Sequence, residues 1–410
     1  MTGTTLFAII IILIVLNFTK DKVIGFLNAK HFNDPIPKVL EDVYDKEAYE
    51  TSQTYKRENY RFSSFYGVFM FVITILFFVL DGVALLDHLS LRIVSNSMLQ
   101  AIVFFGIIGL VSTTLQIPFD YYHTFVIEEK YGFNKSTKTL FFIDKIKGIL
   151  MTVILGGALL FLISWLYSKM QDDFWWYAWL VFSVFTVFIT MFYSSIIVPI
   201  FNKQTPIEEG SLKDKLEKYA KAQGFKLDHI YVIDGSKRST KANAYFTGLG
   251  PKKRIVLYDT LVQDLTEDEI IAVFAHEVGH YKKRHTVFNI FASLSLTGLT
   301  LFVFGKLLGN PLLAEAFHVT HSSFHLGLLA FGVLYSPISE VTGLIMNILS
   351  RKFEYQADDF AKQTFEQQYL VSALKKLSKN SLSNLTPHAW NVNLNYAHPT
   401  LLQRVLRLKK

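Results

Sequence analysis

Hydrophobic residues in this chain collect into long runs, and seven of those runs are long enough to cross a bilayer. They cover roughly residues 3–19, 65–86, 99–119, 148–168, 175–198, 286–308 and 325–349. The first is the weakest, because its fully apolar core, Leu6 to Leu16, is only eleven residues long. It reads as a span and not a cleaved leader, because no basic residue precedes it and no A-x-A site follows.

Charge in the intervening loops orients these spans. The segment between the first and second carries eight Lys/Arg, and that between the third and fourth carries five, all Lys. Loops after the second, fourth and sixth carry one or none. Basic loops stay on the inner side, so the N-terminus lies outside, and the basic segments 201–285 and 350–410 lie inside. That arrangement needs an odd number of spans, and seven satisfies it.

The expected organisation is an all-α polytopic membrane protein with a small α+β soluble cap. Residues 1–200 hold spans one to five, 201–285 form a cytoplasmic segment, 286–349 hold spans six and seven, and 350–410 form a cytoplasmic tail. Within the cap, Lys213 to Gln223 reads as an amphipathic helix stopped by Gly224. His229 to Ile233 and Arg254 to Tyr258 read as strands, with Ala242 to Phe246 as a third, edge strand. No long linker or internal repeat separates the cap from the spans.

Composition agrees: 51% of residues are hydrophobic, 18% are charged, and there are 37 Phe and 20 Tyr. A net charge of +7 raises the question of nucleic acid, but the basic residues flank apolar runs, where bilayer orientation accounts for them. No nucleic-acid partner is expected. There is no cysteine, which excludes disulfides, thiolate metal ligands and a cysteine nucleophile.

The chemistry concentrates at residues 276–280, HEVGH. His276 and His280, four apart on a helix, share a face and can grip one metal ion, while Glu277 is placed to take a proton from a metal-bound water. Thr266 and Glu269 form a capping box ahead of the apolar run that leads into the motif. Two histidines need a third protein ligand. RKFEYQADDFA, just beyond the seventh span, offers Glu354, with Asp358 one turn later to hold a ligating imidazole.

Ser336, Glu340, Gly343, Asn347, Glu354 and Asp358 fall on one helical stripe, so Glu340 should face other helices or water inside the membrane. Asn243 in the edge strand can hold a substrate backbone or an oxyanion, and His398 and Arg404 sit in YAHPTLLQR. His285, five residues after His280, lies too far round a continuous helix to share the metal. His318, His321 and His325 fall in an outer loop and are read as interfacial.

The blocks around these residues resemble the type I CAAX prenyl proteases, integral-membrane zinc enzymes that trim prenylated proteins. They include FVIEEKYGFNKST at 125–137, VPIFNKQTPIEEGSLK at 198–213, SKRSTKANAYFTGLGPKKRIVLYDTL at 236–261, AVFAHEVGHYKKRH at 272–285, LSRKFEYQADDFA at 349–361 and YAHPTLLQR at 396–404. The resemblance implies seven helices ringing a water-filled chamber, and one Zn²⁺ per chain held by His276, His280 and Glu354. It implies Glu277 as catalytic base, Asp358 as the acid behind a zinc ligand, and Asn243, His398 and Arg404 close to the reacting peptide.

The implied activity is removal of the C-terminal tripeptide from a prenylated CAAX protein. A membrane-protein quality-control protease without a prenyl requirement is the alternative, and a seven-span transporter or receptor is a third reading. The expected partners are a prenylated or membrane-associated peptide and the bilayer. The insert and tail are shorter than in eukaryotic members, which favours a bacterial cytoplasmic membrane over the endoplasmic reticulum.

Overall fold

The computed structural model describes residues 1–225, 229–247 and 254–410, with backbone alone at 246 and 247. The GLGPKK stretch at 248–253, part of the block at 236–261, lies outside the described residues. Five helical stretches are long and apolar enough to cross a membrane, or six if one bent pair is counted as a passage. The first two are α1 (Gly3–Lys30) and α2 (Lys46–Val79). Asp45 caps α2 by accepting the Ala48 N–H at 2.8 Å.

The expected span 65–86 ends early. Asp81 takes a left-handed turn at φ 55°, and a separate helix α3 (Gly82–Ile93) follows. Hydropathy cannot register this break, because the residues on both sides of it are apolar. Next come α4 (Ser97–Tyr122), which continues as a π-helical turn to Glu128, and the helical stretch Lys138–Phe201. That stretch comprises α5 (Lys138–Met151), α6 (Gly157–Met170), α7 (Phe174–Phe192) and α8 (Val198–Phe201). Its 64 residues would reach about 96 Å if straight. Instead Gln171 adopts φ 43°, the chain reverses, and α7 packs along α6.

The cap is built on a four-stranded sheet in the order β1-β2-β4-β3. Both expected strands form, and β2 (His229–Ile233) pairs parallel with β4 (Arg254–Tyr258). The edge strand β3 is Ala244–Thr247, shifted from the expected 242–246, and pairs antiparallel with β4. The sequence reading missed β1 (Gln204–Pro206), three residues too short to show alternation. Helix α9 (Ser211–Ala222) ends near Gly224, whose φ of 56° suits glycine.

After α10 (Asp259–Asp264), helix α11 (Glu267–Lys282) carries the HEVGH motif. Its predicted capping box is present, with Thr266 and Glu269 bonded reciprocally. Then follow α12 (His285–Leu307), α13 (Pro311–Glu315), α14 (Phe324–Leu334) and α15 (Ser336–Thr364). The expected seventh span is not straight: α14 and α15 meet at a 53° bend. The tail adds α16 (Gln367–Asn380), α17 (Ala389–Asn395) and α18 (Leu401–Lys409).

One hydrophobic core unites the cap. It joins Leu216 of α9, Leu257 of β4, Phe274 of α11, Leu370 of α16 and Val405 of α18. Leu40, Val43 and Tyr44, from the loop before α2, belong to the same core, so the cap draws on more than the two segments expected.

The stripe on α15 has partners. Asn17 donates to Ser336 at 3.0 Å, Lys20 pairs with Glu340, and Asn347 donates to the Leu394 carbonyl at 2.8 Å. Glu340 thus faces α1, as its cost in hydrocarbon requires. The outer histidines tie α3 to the α13–α14 region. His318 lies 2.6 Å from Asp81, His325 lies 2.7 Å from Asp87, and His321 lies 3.4 Å from Asp87.

Candidate metal centre

Helix α11 packs closely against α15 because Gly279 presents no side chain. A Cβ there would sit 3.0 Å from Ala357 Cα and 3.1 Å from its carbonyl oxygen. This contact brings HEVGH face to face with the Glu354–Asp358 turn. His276 Nε2 lies 3.4 Å from Glu354 Oε2, His280 Nε2 lies 3.3 Å from Glu354 Oε1, and the two Nε2 atoms are 3.1 Å apart. Ligands about 2.0–2.2 Å from a tetrahedral zinc are spaced about 3.3–3.5 Å from one another. The three residues form a metal-capable group, with their ligand atoms all within 4.8 Å of one another.

The tautomers follow from the outer partners. His276 Nδ1 lies 2.9 Å from Asp358 Oδ1, so its proton sits there and Nε2 presents a lone pair. Asp358 is fully buried and is gripped by Arg404 through two bonds, at 2.9 and 2.6 Å. Burial works against its charge, but His276 and Arg404 hold its carboxyl below the ordinary carboxylate range.

His280 is oriented differently. The Gln356 amide oxygen accepts from His285 Nε2 at 2.8 Å, which leaves His285 Nδ1 as acceptor for His280 Nδ1–H at 3.0 Å. His280 Nε2 is therefore also a lone pair. His285 lies outside the metal-capable group, and its orienting contact with His280 was not expected. The helix it assumed is interrupted: Arg284 sits at φ 58°, and the turn folds His285 back over His280. Phe353 stacks on the His285 ring at 4.2 Å.

Glu354 lies beyond the end of the seventh apolar run. Burial opposes its charge, but contacts with His276, His280 and His398 keep it strongly depressed and ionised. Its Oε2 is buried and accepts no hydrogen bond. The two Nε2 atoms and a buried carboxylate oxygen with no hydrogen-bond partner among the described residues converge on one point. A cation satisfies that donor set, and its N,N,O composition suits zinc.

The remaining candidates surround a cavity of about 400 Å³ lined by Asn243, His276, Glu277, His280, Glu354, His398 and Arg404. Glu277 is half-buried on its wall. His398 Nδ1 lies 3.1 Å from Glu354 Oε2, and its side chain is 69% exposed, open to an incoming ligand. Asn243 Oδ1 accepts the Ala244 N–H at 2.8 Å, which leaves its Nδ2 without a partner among the described residues. All eight predicted site residues thus come together, seven on the cavity and Asp358 directly behind His276.

Two ion pairs anchor the approach to β3. Lys241 donates to Glu128 at 2.6 Å, and Arg238 grips Asp144 at 2.8 and 3.0 Å. The quoted blocks at 125–137 and 236–261 therefore pack against each other.

Residues 26–203 match a family described as "CAAX prenyl protease N-terminal, five membrane helices", and residues 206–410 match peptidase family M48. The chain is similar to CAAX prenyl protease 1 of Saccharomyces cerevisiae, 35% identical over 91% of this chain and 88% of the relative. The human CAAX prenyl protease 1 homolog is also 35% identical, with the same two coverages. The crystal structure of Ste24p from S. mikatae aligns with a TM-score of 0.93 at 33% identity, covering 99% of each chain. Matched along both halves, the chain belongs to the CAAX prenyl proteases of peptidase family M48 and is a multi-pass membrane metalloprotease.

Proposed function

We propose that this protein is a zinc endopeptidase that removes the C-terminal tripeptide from prenylated CAAX proteins on the inner face of its membrane. The observation that carries this reading is the convergence of two imidazole lone pairs and an orphaned carboxylate on the wall of one cavity. His276, His280 and Glu354 would hold a zinc ion, which when bound would make a water more acidic and polarise the scissile carbonyl. Glu277, on the same wall, takes the proton released as that water attacks, then hands it to the leaving amine nitrogen. The Nδ2 of Asn243, unpartnered among the described residues, and the exposed imidazole of His398 donate to the oxygen that gains charge. Arg404 fixes Asp358, which in turn fixes the His276 ring.

Substrate peptide adds as a strand beside β3, whose outer edge has no strand partner among the described residues. Main-chain pairing tolerates many sequences, so specificity must come from the lipid and the C-terminus.

The membrane part supports a hollow ring of seven passages. Lys138–Phe201 counts twice because it reverses at Gln171, and the bent α14–α15 pair counts once. Neighbouring helices touch in a circuit, α1–α2–α3–α4–α6–α7–α12–α14 and back to α1, and α4 also meets α14 across it, where Phe104 and Leu326 share one hydrophobic cluster and Ala101 and Phe324 another. Only 6–17% of the apolar windows is buried, which fits helices wetted on one flank and facing lipid on the other. Such a chamber spares the enzyme from extracting a farnesyl group, which costs on the order of 10 kcal/mol.

The test is a peptidase assay of purified protein on a farnesylated CAAX peptide, with 1,10-phenanthroline and Glu277→Gln as controls. Release of the tripeptide, abolished by both, is the expected result. Equal cleavage of the unprenylated peptide would favour the quality-control reading, and undiminished activity in Glu277→Gln would end the hydrolytic one.

A further inference from the structure

A second cavity, of about 670 Å³, lies away from the metal centre between α2 and the end of α4. None of its lining residues belongs to α11, α15 or the tail. On its α2 wall the residues run in a definite order: Arg57, Arg61, then Phe62 and Phe65 where the apolar run begins. Phe119 and Tyr122 of α4 complete an aromatic floor. Phe62 stacks on Tyr122 at 5.7 Å, and Phe65 packs on Phe119 at 6.1 Å. Lys130 closes the polar rim, held by Glu58 at 2.7 Å.

The rim therefore holds three cations against one carboxylate. Arg57 donates to the neutral amide of Asn33, and Arg61 has no hydrogen-bond or ion-pair partner among the described residues. Arg57 and Arg61 are four apart on one helix face, both exposed. Arg57 and Phe65 are separated by about 12 Å along the helix axis, enough to pass from a headgroup layer into hydrocarbon. This end of α2 is also the catalytic end, since Tyr55 bonds Lys241 at 3.0 Å.

The geometry points to a binding site for one anionic phospholipid, its phosphate on Arg57 and Arg61 and its acyl chain along Phe62, Phe65 and Phe119. Planar guanidinium groups match a phosphodiester in charge and geometry, and a zwitterionic headgroup offers them no net charge. The prenyl chain of a substrate fits the aromatic floor but leaves both arginines unanswered.

The test is native mass spectrometry of the full-length protein in mild detergent, titrated with phosphatidylglycerol and phosphatidylcholine of identical chains. One adduct of phosphatidylglycerol is expected, preferred by roughly 30-fold if each arginine contributes as basic groups at membrane surfaces do. Arg57→Gln with Arg61→Gln should abolish the preference, while Lys218→Gln with Lys221→Gln, on the distant α9, should leave it intact. Equal binding of the two lipids, or a preference that survives the arginine pair or vanishes in the lysine pair, would overturn the assignment. So would one-for-one displacement of the lipid by a farnesylated peptide, which would make the cavity a prenyl site.

Discussion

Helical periodicity puts His276 with His280, and Glu354 with Asp358, on one face of each helix, and the packing of α11 on α15 at Gly279 turns the two faces together. The supports of these four residues arise elsewhere. His285 acts through a turn at Arg284, and Gly279 acts through the backbone of Ala357, neither of which has a sequence period. At this scale Glu277→Gln should lose about 10²–10⁴-fold in kcat while retaining stoichiometric zinc by metal analysis. Asn243→Ala should lower kcat by about 10²–10³-fold at unchanged zinc content. Equal losses of zinc and turnover in that variant would show that Asn243 supports the fold and not the oxyanion. Gly279→Ala behaves in the opposite way: its methyl group pushes on Ala357, separates α11 from α15 and weakens zinc retention before it affects chemistry.

Elements were legible where apolar runs are long and illegible where the backbone turns within them. The breaks at Asp81 and Tyr335 and the reversal at Gln171 all lie inside or beside hydrophobic sequence. The start of α11 was readable from Thr266 and Glu269, and it carries a measurable charge effect. Glu269 is buried, which opposes its ionisation, but bonds from Lys376 at 2.7 Å, Ser372 at 2.6 Å and the Thr266 N–H hold its pKa below the ordinary 4.5. A depressed carboxylate stabilises the fold above its unfolded pKa, and that contribution is lost as pH falls through the folded value. Glu269→Gln should therefore cost roughly 1.5–3 kcal/mol at pH 7. Thermal melts in detergent should show the gap to wild type closing as pH falls below the ordinary glutamate range.

For the whole molecule, the apolar runs were enough for a helical membrane protein, and the block at 396–404 already named His398 and Arg404, but neither showed how the tail is held against the centre. His398 and Arg404 lie beyond α17, and Arg404 bonds both Asp358 oxygens while its guanidinium lies 3.3 Å from His276 Nδ1. Removal of residues 397–410 should abolish peptidase activity although HEVGH and Glu354 remain, and activity assay of the truncated protein checks this. The three pieces of the centre, at 276–280, 354–358 and 398–404, are separated by membrane passages and by α16 and α17. Translation adds about 5–20 residues per second, so roughly 6–25 s separates synthesis of His280 from that of Arg404. During that interval the newborn enzyme has the motif of a protease and none of its bite. A cell making it is spared from a half-built hydrolase loose beside the insertion machinery.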